Sequence, residues 1–96
     1  MFKITTIMTL PPESTVEHWT YPKTHCDKIN ELWTKRIYGE RFYSEDGRVF
    51  TSINIWESKE AYLEFTNHPE TQEVIEMVKL WRAENNCAYD RIEEEI

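Results

Sequence analysis

Ninety-six residues with a formal charge of −7 describe one small acidic domain. The surplus of 18 Asp and Glu over 11 Lys and Arg argues against nucleic acid, whose phosphates demand a basic surface, and against an anionic membrane face. Forty per cent hydrophobic residues, with only two glycines and four prolines, exclude a disordered chain.

The first strand is expected from Phe2 to Thr9, a β-branched run stopped by Pro11-Pro12. Ser14-Thr15-Val16-Glu17 matches a capping box, in which Ser14 and Glu17 satisfy each other's orphan amides. Val16, Trp19, Cys26, Ile29, Leu32 and Trp33 then follow a helical stripe interrupted by Pro22. The stripe is either one kinked helix or a turn followed by a second helix from Lys23 to Thr34. Ile37–Ser44 and Val49–Trp56 read as strands joined at Glu45-Asp46-Gly47, since an Asp-Gly pair between alternating runs marks a hairpin. Ser58 caps the next helix, with Ala61, Tyr62 and Phe65 on its inner stripe. His68-Pro69 breaks it and opens another helix, with Val74, Val78 and Trp81 inward and Asn85-Asn86 at its end. Cys87 to Glu93 is the last expected strand, and Glu93-Glu94-Glu95 a solvated tail.

This β-α-β-β-α-β order is the ferredoxin-like split βαβ arrangement, an α+β fold with helices on one face of a four-stranded antiparallel sheet. The second hairpin strand puts Phe50 and Trp56 on one side and Ile53 and Ile55 on the other. A sheet open to water should instead alternate apolar and polar. The helix-free face is therefore expected to be covered by a second copy, as a homodimer with sheets face to face. Cys26 and Cys87 are far apart without a CxxC pair, as expected of reduced thiols in a cytoplasmic protein. The N-terminus has no apolar core of a signal peptide, and no apolar run reaches membrane-spanning length.

Trp56-Glu57-Ser58 with Glu60-Ala61, then Phe65 and His68-Pro69, resembles the strand-to-helix passage of antibiotic biosynthesis monooxygenase-like proteins, of the dimeric α+β barrel group. The resemblance implies a single domain over 1–96, a barrel formed by two sheets, and a pocket between each sheet and its helices. It also implies, for the enzymatic members, oxidation of aromatic or polyketide-like molecules with no cofactor. A haem-degrading branch of the same fold uses an Asn on the first strand, a Trp and a His. Here those positions fall on Thr5, Thr6 or Ile7, on Phe65 and on Ile75, so the haem triad is absent.

On this scaffold Asn54 and His68 are the candidate catalytic groups, Asn54 as a hydrogen-bond donor and His68 as a general base near neutrality. Each has a structural alternative: Asn54 as a polar group satisfied at a sheet edge, His68 as part of a turn. Trp56 and Phe65 are candidate walls for an aromatic ligand, and the structural alternative for Trp56, the one burial statistics favour, is a core or interface aromatic. Tyr38, Arg41 and Tyr43 either bind a phenolate or form cross-strand pairs. His18 and His25, with Cys26 and Asp27, match no strong metal-ligand spacing, so no metal site is expected. A non-catalytic small-ligand binding or dimerisation module is the alternative to an enzyme.

Overall fold

The computed structural model describes residues 1–14 and 35–96. The expected capping box at Ser14–Glu17, the helical stripe around Pro22, and His18, His25, Cys26 and Asp27 therefore lie wholly or mostly outside the described residues. The described elements are β1 (Phe2–Thr9), β2 (Arg36–Tyr43), β3 (Val49–Trp56), α1 (Lys59–Thr66), α2 (Pro69–Glu84) and β4 (Ala88–Glu95).

The sheet order is β2-β3-β1-β4, and every neighbouring pair is antiparallel. With β1 and β3 central and β2 and β4 at the edges, this is the ferredoxin-like arrangement. Phe2, Ile4, Thr6 and Met8 of β1 stand opposite Trp56, Asn54, Ser52 and Phe50 of β3. Because side chains alternate along a strand, this register sends all eight to one face. Phe2, Ile4, Met8, Phe50 and Trp56 on that face are buried.

The turn and caps form for local reasons. At the hairpin, Gly47 adopts φ 71°, a left-handed conformation that a Cβ disfavours. The Asp46 carboxylate accepts from the Ser44 hydroxyl at 2.6 Å and from the Arg48 amide at 3.1 Å. Those bonds, the Ser44 hydroxyl first, hold its carboxyl below the usual carboxylate range. Ser58 Oγ accepts from the Ala61 amide at 3.1 Å and starts α1. His68 Nδ1 accepts from the Glu70 amide at 3.2 Å and starts α2, with Pro69 in its first turn. Thr71, Val74 and Trp81 are the buried residues of α2, and Asn86 at φ 52° follows its end.

A core of Phe2, Ile4 and Trp56 joins sheet to helix, with Tyr62 and Phe65 of α1 packed against it. The Trp56 ring lies 4.7 Å from Phe65 and 5.8 Å from Tyr62, the latter edge-on, and Phe2 lies 5.6 Å from Tyr62. Such tilted geometries suit the ring quadrupoles.

Two expectations are corrected. Glu93-Glu94-Glu95 is not a free tail but strand, opposite Ile4, Lys3 and Phe2. Backbone bonding to β1 extends β4, while the acidic side chains face water, as suits an edge strand. The first hairpin strand begins at Arg36 and carries a register shift between Arg36 and Tyr38. The extra residue, Ile37, puts Arg36 opposite Trp56 and Tyr38 opposite Ile55.

Candidate functional site

Between the helix-bearing face of the sheet and α1 and α2 lies a cleft of about 430 Å³. Its floor comes from the sheet: Thr6 of β1, Ser52 of β3, and Tyr89 and Arg91 of β4. These four converge because Thr6 stands opposite both Ser52 and Arg91, and Tyr89 lies two residues before Arg91 on the same face. The Thr6 and Ser52 hydroxyls bond each other. One wall is Tyr62 and Phe65 of α1, and the other is Val74, Ile75 and Val78 of α2. An apolar body with a few convergent polar groups is the usual make-up of a small-molecule site.

The polar end of the cleft is built around Arg91. Its Nη2 donates to the Tyr62 hydroxyl oxygen and, at 2.8 Å, to Glu93 Oε1. Burial disfavours its charge, but the hydrogen bonds to Tyr62, Tyr89 and Glu93 more than offset this, and its pKa is raised. A guanidinium can only donate, so the Tyr62 oxygen is the acceptor in this pair and its own O–H remains available to a ligand oxygen. Lys79 and Arg82 of α2 also line the cleft, and the Arg82 guanidinium lies over the Tyr89 ring at 3.9 Å. Thr71 is 2 % exposed and its hydroxyl has no hydrogen-bond partner. Among the described residues the lining holds no Asp, Glu or His, and no group of three potential metal ligands occurs in them.

The residues singled out from sequence are dispersed. Phe65 lines the cleft. Trp56, 2 % exposed, stacks behind Phe65 and Tyr62 and supports that wall from the core. Asn54 shares the face, and its Oδ1 accepts from Arg36 Nη1 at 3.0 Å. Burial, with Arg41 nearby, lowers the pKa of Arg36. A Cβ on Gly39, opposite Asn54, would overlap the Arg36 guanidinium. His68 is exposed, caps α2 and is not part of the lining. Arg41 and Tyr43 stand opposite Ser52 and Phe50 on the outer strand, where the Tyr43 ring lies 5.1 Å from Phe50. Tyr38 points to the opposite face, beside Ile55, and bonds Glu40.

Of the lining residues only Phe65 was a candidate from the sequence; Tyr62, Arg82, Tyr89 and Arg91 are among the polar or charged groups that were not. A signal existed for two of them: Tyr89 and Arg91 alternate onto one face of the last strand. Tyr62 falls on the inner stripe of α1 by its spacing, and its hydroxyl acquires a role only through Arg91 of β4, 29 residues along the chain.

No protein-family model matches the chain, and no curated protein matches it. Solved structures do. One called an antibiotic biosynthesis monooxygenase superposes with a TM-score of 0.72 at 13% identity, covering 100% of this chain and 98% of that one. SnoaB, a cofactor-independent oxygenase from Streptomyces nogalater, gives 0.70 at 6% identity over 99% of this chain and 91% of its own. A conserved protein from Methanosarcina mazei Go1 gives 0.66 at 10% identity, covering 98% and 90%. At these identities the likeness establishes the fold, the ferredoxin-like fold of the antibiotic biosynthesis monooxygenases, and leaves the chemistry to the site.

Proposed function

We propose that this chain, built on the fold of the antibiotic biosynthesis monooxygenases, binds an aromatic or polyketide-like small molecule in the cleft and promotes its cofactor-independent oxygenation. The observation that carries this reading is an apolar cleft of about 430 Å³ with a polarised phenol at one end. Phe65, backed by Trp56, forms the aromatic wall. The Tyr62 O–H, polarised by Arg91, hydrogen-bonds the substrate oxygen and favours its phenolate or enolate. An electron-rich carbanion of this kind reacts with dioxygen directly. A methylene becomes a carbonyl, one oxygen atom enters the product, and the other leaves as water with the two protons of the methylene.

The protein acts as a homodimer in this reading. The face turned away from α1 and α2 carries Ile7, Ile53 and Ile55 at its centre and Tyr38, Phe42 and Ile92 around them. Tyr38, Phe42 and Ile92 are each more than 40% exposed. Exposed apolar surface of this extent favours a self-complementary twofold contact.

A second reading rests on one specific observation: the described lining contains no carboxylate or imidazole to accept a proton. A binding module without turnover fits that lining equally. Oxygen uptake with 1,8-dihydroxyanthrone separates the two. The oxygenase reading expects uptake above the spontaneous rate, formation of the anthraquinone, and a fall of about 10-fold or more in Tyr62→Phe. Tight binding with no enhanced uptake selects the binding module, and the absence of binding removes both.

A further inference from the structure

The cleft runs against the charge of the chain. The sequence has 18 acidic and 11 basic residues. Yet the described lining holds Lys79, Arg82 and Arg91 and none of the acidic residues. Two of these cations are already engaged by carboxylates. Arg91 pairs with Glu93 at 2.8 Å, and Lys79 lies 3.6 Å from Glu76. Arg82 has no acidic partner among the described residues. It is half-buried, and its guanidinium lies 3.9 Å over the Tyr89 ring. That ring holds the fork flat without using any of its N–H donors, because a cation–π contact engages the face of the guanidinium and not its edge.

Its position has a local cause. Arg82 lies in the last turn of α2, where the helix carbonyls favour a cation. This accounts for a basic residue there and leaves its hydrogen-bond donors unassigned. A planar fork with open donors, facing an apolar cleft, matches the two oxygens of a carboxylate in bidentate geometry.

We propose that Arg82, laid on Tyr89, is the anion-docking residue of the cleft, and that the ligand is an organic carboxylate with an aromatic body. The inference rests on reading the cleft as a ligand site. The aromatic body lies along Phe65, Val74 and Val78, and the carboxylate meets the fork at the end of α2. The anion thereby gains charge-assisted hydrogen bonds that a neutral analogue of the same shape cannot form. A strongly acidic protein thus selects an acidic ligand, because the local field in the cleft, not the net charge, sets the preference.

Calorimetric titration of the full chain with 2-naphthoate and with its neutral counterpart 2-naphthamide tests this. The wild type should bind the acid about 10-fold or more tightly than the amide. Arg82→Gln should abolish that preference while amide binding persists, and Arg82→Lys should retain only part of it, since an ammonium keeps the charge and loses the fork. Val78→Trp, which fills the cleft, should lose both ligands. Equal affinity for acid and amide in the wild type, or a preference that survives Arg82→Gln, overturns the docking role and leaves the cleft reading standing. Binding of neither compound, or binding that persists in Val78→Trp, overturns the cleft reading and this inference with it. A melting curve accompanies each variant. If Arg82→Gln does not fold, the acid-to-amide ratio of Arg82→Lys decides, and a ratio equal to the wild type counts against the proposal.

Discussion

Trp56 shows how one residue serves the core and the site together. Its indole is 2 % exposed and touches both aromatic residues of α1 that wall the cleft. Truncating it removes its ring contacts with Tyr62 and Phe65 and leaves a cavity beside Phe2, so Trp56→Ala is expected to cost about 3–5 kcal/mol, measured by chemical denaturation. A loss below about 1 kcal/mol would show that the wall is held by other contacts. The three hairpin candidates Tyr38, Arg41 and Tyr43, grouped together from the sequence, do not share a face. Tyr38 differs in parity from Arg41 and Tyr43, so alternation sends it to the other face, and the register agrees. The sequence had no means to show that Tyr62 meets Arg91, 29 residues away.

The elements were legible where their signals are local. Ser58 begins α1 because its hydroxyl satisfies the Ala61 amide, a bond spanning three residues. Ser58→Ala is expected to cost about 1 kcal/mol, and Ser58→Asp to restore most of it. Hydrogen exchange at Ala61 reads the change directly, and unaltered protection there would place the start of the helix elsewhere. His68 illustrates the limit of local reading. His-Pro at a helix break suggested both a turn and a base, and the structure uses its Nδ1 as an acceptor for the Glu70 amide. The end of β4 was less legible. An acidic triplet reads as solvated, and only the presence of β1 alongside makes it a strand.

The molecule as a whole presents two apolar faces on one sheet. One is covered by α1 and α2, and the other carries Ile7, Ile53, Ile55 and Ile92 alongside Tyr38 and Phe42. Covering it in a twofold dimer would bury roughly 800 Å², worth about 20 kcal/mol gross before association and ordering costs. Ile53→Glu places a charge near the middle of that face and is expected to give a monomer by light scattering, with α1 and α2 intact by circular dichroism. A wild-type protein that is monomeric at micromolar concentration removes the dimer.

The sequence by itself determined the alternation of the described strands, the hairpin turn and the start of α1 at Ser58, because each depends on residues within a few positions of one another. Only the tertiary structure decided the cleft. Its floor requires β4 to lie beside β1, and its polar end requires side chains from α1, α2 and β4 to meet. Such meetings depend on strand order and register, which are settled by the packing of the whole sheet against its helices and leave no mark in any short stretch of chain.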